Sequence, residues 1–134
     1  MSGPWYHSFG GGPGNWWSET WDYPQAVTLG DAVKISGQGG WGPDRVVDTS
    51  GPEAQVRLAV ENVDRILREA GLRGWEDVHY LRSYHVGLTR SLPILFDALR
   101  ERIPEHRPVW TAIGVASLAD RDSLIELEVE ATRH

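Results

Sequence analysis

The sequence has no cysteine, only one lysine and no long apolar run. Without cysteine the chain cannot form a disulfide framework, a zinc ribbon or a thiol nucleophile, and the cytoplasm is the simplest expected location. No Lys or Arg precedes Lys34 and the longest apolar stretches span only a few residues, so we expect neither a secretory signal nor a membrane span. These absences predict a soluble cytoplasmic protein.

Positive charge is also scarce. Thirteen Lys and Arg stand against nineteen Asp and Glu, which gives a formal net charge of −6 over 134 residues. Because no basic field would gather phosphates, nucleic acid is not an expected partner. A hydrophobic content of 40% in a chain of this length is typical of one domain with one core.

Aromatic residues concentrate near the start of the chain. Seven of the thirteen Trp, Tyr and Phe residues lie in the first 23 positions, where glycine and proline are also frequent. We interpret residues 1–22 as an arm without regular helix or strand, and residues 23–134 as a single domain. Large rings are rarely left in water, so part of the arm is expected to lie against a surface. It either covers the core of its own domain or lines a pocket, there or in a neighbouring subunit.

The pattern after the arm predicts alternating strands and helices. One amphipathic helix opens at Gly51-Pro52 and ends at Gly71, and a second is capped by Ser91, has Pro93 in its first turn and stops at Pro104. Strands are predicted at 25–29, 32–36, 45–47, 77–86, 109–116 and 124–132, with a turn at 30–31 and a loop at 37–43. The order β-β-(β)-α-β-α-β-β predicts an α+β fold in which two helices cover one face of a sheet.

Three features that suggest cofactor chemistry fail on physical grounds. The glycines of residues 37–42 match G-x-G-x-x-G, but no helix follows at once to bind a pyrophosphate. His79 and His85 would lie roughly 20 Å apart on one strand, too far for one metal ion, and are expected to be packing or surface residues. Lys34, the one Schiff-base candidate, is expected to point to solvent. We therefore predict no metal and no other cofactor.

An alternating row of carboxylates lies in the last predicted strand. Glu126, Glu128 and Glu130 would follow one side of it at a spacing of about 6.6 Å, where repulsion disfavours burying all three as anions. The row is either a solvated face, or one member turns into a cleft and acts as a general acid or base.

The opening of the domain carries a distinctive sequence: Tyr-Pro-Gln-Ala-Val at 23–27, Gly-Asp at 30–31 and Ile-Ser-Gly-Gln-Gly-Gly at 35–40. It strongly resembles the opening of the RidA/YjgF reactive-intermediate deaminase (Rid) family, and the resemblance continues to residue 133. The resemblance implies a chorismate-mutase-like α+β fold, assembled as a homotrimer with ligand clefts between subunits.

The resemblance also implies site residues. Tyr23 matches the family's pocket tyrosine, Gly37 the loop glycine whose backbone borders the ligand, and Glu126 the carboxylate that positions or activates water. With Gln38 and Trp110 these residues are expected to bound the cleft, Glu126 being the one polar group at its floor. Trp110 stands where the family has the arginine that grips the substrate carboxylate. An indole offers one neutral N–H and a flat face in place of a charged fork.

The expected function combines the family chemistry with this change. We predict a divergent Rid-type enzyme, a deaminase-like hydrolase that acts on a small imine, enamine or enol in an aromatic-lined cleft between subunits. Part of residues 5–21 is expected to pack near that cleft. A non-catalytic trimer that binds a small ligand or a partner is the alternative. An endoribonuclease is a third alternative, which the acidic charge balance disfavours.

Overall fold

The computed structural model describes residues 3–7, 24–43 and 46–134. They form the α+β fold that the sequence pattern and the resemblance predict, with one six-stranded sheet and two α-helices. Tyr23 and most of the predicted arm lie outside these residues, as does the start of the predicted strand at 45–47.

The sheet is mixed, and its strands follow the spatial order β1-β2-β3-β6-β4-β5. The strands are β1 (Trp5–His7), β2 (Ala26–Leu29), β3 (Ala32–Gly39), β4 (Val78–His85), β5 (Val109–Gly114) and β6 (Ile125–Thr132), and the helices are α1 (Pro52–Glu69) and α2 (Leu88–Arg102). Among the described residues, every pairing is antiparallel except that of β4 with β5. Helix α2 makes the crossover that this parallel pair requires.

Helix α1 ends where the sequence predicts. It begins at Pro52, whose missing N–H is no loss in the first turn. Gly71, with a φ of 92°, follows its last turn. The N–H of Gly71 donates to the carbonyl of Arg68 and that of Leu72 to the carbonyl of Leu67, both at 2.9 Å. This pair of bonds closes the helix and needs the left-handed backbone that glycine adopts without strain.

Helix α2 begins four residues earlier than predicted, at Leu88. Gly87, with a φ of 83°, occupies the N-cap position, so the turn into the helix is made by a backbone conformation that suits glycine. Ser91 is not the cap. Its hydroxyl lies inside the first turn and hydrogen bonds to His85 and to the carbonyl of Gly87. Pro93 consequently lies within the helix and not in its first turn.

Two strand predictions are also corrected. Trp5–His7 forms β1 along the edge of β2, so the predicted arm does contain regular structure. These three residues include neither glycine nor proline, and β2 offers their backbone unpaired partners. Strand β3 continues to Gly39 across an irregularity between Ile35 and Gln38, so the first part of the predicted loop at 37–43 is strand.

The predicted strand at 45–47 reduces to one bridge between Trp41 and Val47, and both side chains are buried beside each other. Helix α1 holds this segment, because the Asn62 amide donates to the carbonyls of Gly39 and Trp41 at 3.0 Å each. The backbone of Gly40 lies so close to α1 that only glycine fits there.

A single main core fills the space between the helices and one face of the sheet. Strand β6 shows the alternation directly, since Ile125, Leu127 and Val129 are fully buried while the glutamates between them face the other way. No helix in the described part of the chain combines the length and the apolar character that crossing a membrane requires. No element of the described residues covers the second face of the sheet, which is called the open face below and bears the candidate site.

Candidate functional site

The open face of the sheet carries the predicted row of glutamates opposite three residues of β4. Residues paired in adjacent strands project to the same face. The pairs are Glu126 with Tyr84, Glu128 with Arg82, and Glu130 with Tyr80. Glu126 is therefore not alone on this surface, because β4 places a second polar row beside it. That Glu126 is the one polar group at the floor of the cleft stays a prediction.

Gly37 and Glu126 are brought into direct contact. A Cβ atom added to Gly37 would collide with Oε1 of Glu126. Gly37 lies in the irregularity of β3 between Ile35 and Gln38, where the strand gains a residue relative to β6. The missing side chain leaves the space that the carboxylate fills, so the two residues assigned by resemblance do meet in this structure.

The environment of Glu126 favours its protonated form. Burial raises the pKa of this carboxyl, and the negative charge of Glu128 raises it further. A carboxyl group with a raised pKa exists in both protonation states closer to neutral pH than an ordinary glutamate does. It can therefore accept and return a proton, which is what a general acid or base requires.

The other two glutamates have different partners. Tyr84 donates its hydroxyl to Oε1 of Glu128 at 2.6 Å, and this bond raises the pKa of the tyrosine. Arg82 lies 3.3 Å from Oε2 of Glu130, and its guanidinium stands 4.4 Å from the centre of the Tyr80 ring. All three glutamates are half-buried, and Glu128 and Glu130 are paired with residues of β4, which does not fit the interpretation as a freely solvated face.

Trp110 lies on the other side of the sheet. It pairs with the core residue Leu81, its indole N–H donates to Ser83 Oγ at 2.8 Å, and its ring packs 4.7 Å from that of Phe96 on α2. Within one chain, Trp110 and Glu126 therefore do not share a cleft. The predicted cleft needs a second subunit to bring them together.

Gln38 is fully buried in the chain. Its Nε2 donates to Oε1 of Gln25 at 2.9 Å and to the carbonyl of Ser36 at 3.1 Å. The amide therefore ties β3 to the segment that precedes β2. Its ligand-binding role, like that of Tyr23, stays a prediction.

The described part of the arm lies away from Glu126. Strand β1 is at the edge of the sheet, with β2 and β3 between it and β6. Part of residues 5–21 is predicted to pack near the cleft. Within one chain, Trp5–His7 does not approach Glu126, because backbone pairing with β2 holds β1 at the sheet edge. Residues 8–21 lie outside the described residues.

A buried network that sequence reasoning missed surrounds His85. Its Nδ1 lies 2.7 Å from Ser91 Oγ and its Nε2 2.7 Å from Ser83 Oγ. Burial lowers the pKa of His85 and so favours the neutral ring. His85 is thus a packing residue and His79 a surface residue, as predicted, and Lys34 is exposed, also as predicted. In β4, Ser83 and His85 alternate with Arg82 and Tyr84, so polar residues lie on both faces of the strand. This pattern is the one signal in the sequence that could have revealed a polar network on the buried face.

A family sequence model decides the relationship of this chain to other proteins. The model of the endoribonuclease L-PSP family matches residues 18–133. The chain belongs to this family. The resemblance to RidA/YjgF proteins is thereby confirmed, since structural neighbours with that family name have the same fold.

Several similar proteins match most of the chain. A protein of Streptomyces coelicolor, described as uncharacterized, is 29% identical over 120 residues, which cover 90% of this chain and 88% of the relative. RidA from an Antarctic Psychrobacter species is 29% identical, with a TM-score of 0.76 over 82% of this chain and 87% of its own. E. coli TdcF, solved with bound serine, is 28% identical, with a TM-score of 0.75 over 84% and 88%.

Replacing Gly37 by Ala in this L-PSP protein is expected to lower the pKa of Glu126. The new methyl group would push the carboxylate out of the space beside β3 and towards water, which weakens the burial that raises its pKa. Carboxyl titration by NMR measures the shift. Gly3→Ala is the matched control, since nothing lies near its added Cβ. A Glu126 pKa unchanged in Gly37→Ala would show that the contact does not govern the carboxyl.

Proposed function

We propose that this protein hydrolyses a small imine or enamine, or acts on the related enol, with Glu126 as the group that moves the proton. The contact between Gly37 and Glu126 carries this proposal, because it holds a carboxyl of raised pKa on the open face of the sheet. Arg82 lies on the same face and adds hydrogen-bond donors there, whereas the hydroxyl of Tyr84 is already donated to Glu128.

The chemistry needs one water molecule and one proton carrier. Ionised Glu126 accepts a proton as water oxygen attacks the carbon of the C=N bond, and the electrons of that bond move to nitrogen. The protonated carboxyl then returns this proton to nitrogen, which gives a carbinolamine. Glu126 next accepts the proton of the carbinolamine hydroxyl and passes it to nitrogen as the C–N bond breaks, so that ammonia leaves and the carbonyl forms. Each step uses the same group in alternate protonation states, which suits a carboxyl whose pKa is raised.

The substrate is expected to lack a carboxylate group that an arginine of the protein would have to bind. Trp110 replaces the arginine that the family resemblance places at this position, and a charge-assisted bond to a carboxylate contributes about 1.5 to 3 kcal/mol. An indole offers stacking in its place.

Assays on two kinds of imine test the proposal. Imines formed in situ by oxidation of amino acids carry a carboxylate, as 2-iminopropanoate does, whereas those formed by oxidation of arylalkyl amines such as benzylamine do not. We expect weak or undetectable acceleration with 2-iminopropanoate and clear acceleration of ammonia release with an uncharged aryl imine. If the protein accelerates ammonia release from neither kind of imine, the proposed hydrolase activity is rejected. Fast turnover of 2-iminopropanoate would instead indicate that Arg82, on the same face as Glu126, or Arg90, exposed on α2, replaces the missing clamp.

Two other functions are alternatives to the proposed hydrolase. The replacement of the arginine by Trp110 also suits a non-catalytic protein that binds a small ligand, for which Glu126 would affect affinity and not turnover. An endoribonuclease, the activity in the family's name, is disfavoured by the three glutamates on the open face, since these repel phosphates.

We further propose that the protein is a homotrimer whose subunits cover the open sheet face and bring Trp110 near a neighbouring Glu126. Light scattering at micromolar concentration should give about 45 kDa, three times the 15.0 kDa of one chain. A mass of one chain would contradict both the trimer and the shared cleft.

A further inference from the structure

A cavity lies on the helix-covered side of the sheet, between the end of α2 and the start of β5. Its volume is about 140 Å³, and its apolar walls include Phe96, Leu99, Ile103 and Trp110. An engineered apolar cavity of about 150 Å³ admits benzene, so this space has the size of one six-membered ring. It is separate from the Glu126 surface, because Trp110 and Glu126 face opposite sides of the sheet.

The aromatic walls are held in place before any ligand binds. The bond from the Trp110 indole to Ser83 fixes one ring, and that ring is tilted by 54° to Phe96 at a centroid distance of 4.7 Å. Leu99 and Ile103 belong to the main core and are almost fully buried. Phe96 is 46% exposed, so an apolar surface remains available for a ligand to cover.

The charge around this cavity is opposite to that of the whole protein. Its ionisable lining residues are Arg100, His106 and Arg107, and no carboxylate is among the described residues that line it. The cavity therefore combines an apolar, aromatic interior with a cationic rim.

Both arginines retain donors for an anion. Arg107 is positioned by its Nη1, which donates to the carbonyls of Ile103 and His106 at 2.8 and 2.9 Å, while its Nε and Nη2 make no hydrogen bond within the described residues. Arg100 has one carboxylate partner, Asp97 at 3.3 Å, and both side chains are largely exposed. Water screens such a pair, so it competes weakly with a ligand.

We propose that this cavity binds a monocyclic aromatic carboxylate, with its ring against Phe96 and Trp110 and its carboxylate at Arg100 and Arg107. The site shares Trp110 with the cleft of the proposed function, but Phe96, Arg100 and Arg107 belong to this cavity alone, so variants of these three residues separate the two sites. The ring supplies apolar burial and edge-to-face contact, and the arginines supply charge-assisted hydrogen bonds.

Calorimetric titration of the full chain with three probes tests the site. Phenylacetate carries both ring and charge, phenylacetamide has the same shape without the charge, and acetate has the charge without the ring. We expect phenylacetate to bind at least tenfold more tightly than either of the other two. Equal binding of phenylacetate and phenylacetamide, or no binding of phenylacetate at millimolar concentration, would overturn the proposal.

Variants locate the binding. Phe96→Ala, Arg100→Gln and Arg107→Gln should each weaken phenylacetate about tenfold, whereas Arg57→Gln, an exposed arginine on α1, should not. Arg107 also donates a hydrogen bond to the carbonyl of Ile103 at the end of α2, so Arg107→Gln can destabilise the fold. Arg100 is exposed, and Arg100→Gln therefore tests the site without this effect. Loss of phenylacetate binding in Glu126→Gln, with binding unchanged in Phe96→Ala, would place the ligand at the other site. Unchanged binding in Phe96→Ala and Arg100→Gln would refute the assignment.

Discussion

Replacing Glu126 by Gln is expected to lower the rate of imine hydrolysis by about 100- to 10,000-fold while substrate affinity changes little. Gln keeps the size of the side chain beside Gly37 but cannot carry the proton from water to nitrogen. The measurement is kcat and KM for the imine that the unaltered protein hydrolyses fastest. Glu61→Gln, at an exposed position on α1, is the matched control. A kcat unchanged by Glu126→Gln would remove Glu126 from the mechanism, and a change in KM alone would favour the non-catalytic binding protein.

The pH profile distinguishes a proton carrier from a structural carboxyl. Glu128→Gln removes the negative charge that helps to raise the pKa of Glu126, so the acid limb of kcat/KM should move to lower pH.

The thermal stability of the protein should also depend on the protonation of Glu126. A carboxyl whose pKa is raised by folding stabilises the fold below its unfolded pKa, and this contribution is lost as pH rises through the folded value. Glu126→Gln should therefore raise the melting temperature at neutral pH and show no such gain at pH 4.

Gly40→Ala is expected to destabilise the fold by about 1 to 3 kcal/mol, the usual cost of overpacking, or more. An added Cβ would stand 2.5 Å from both Cα and Cβ of Gln55, so the backbone of α1 would have to move. Gln55 cannot shift freely, since its side-chain amide bonds to the carbonyl of Asp122 and the N–H of Leu124 at 2.9 and 2.8 Å.

Thermal unfolding measures the effect of Gly40→Ala. Gly114→Ala provides the control, because its added Cβ would meet Leu88 at an ordinary 3.6 Å. Similar melting temperatures for the two variants would mean that α1 can move away from β3 at little cost.

The sequence predicts most of this fold because its local signals agree with the tertiary structure. Gly71 closes α1 where a left-handed residue is needed, and alternation in β6 correctly separates core residues from the open face. The start of α2 was mispredicted for the opposite reason. Ser91 has the residue type of a cap, but the backbone of Gly87 makes the turn and the Ser91 hydroxyl bonds to His85 instead.

The candidate site is less predictable because it depends on strand order. The contact of Gly37 with Glu126 follows from the family resemblance, yet the pairing of Glu126 with Tyr84 requires β6 to lie between β3 and β4. Single-sequence patterns do not specify that order. Trp110 shows a further limit, since a position assigned to a cleft by resemblance turns, within one chain, to the covered side of the sheet.

The central place of β6 has a consequence for how the chain folds. Strand β6 comes last among the described strands, yet it lies between β3 and β4 in the sheet. On the ribosome, β3 can pair with β2 and β4 with β5, but the other edge of each strand stays exposed until residues 125–132 have emerged. Such non-local pairing slows folding and exposes edges that attract other chains. During synthesis the nascent chain is thus expected to depend on chaperones until β6 has emerged.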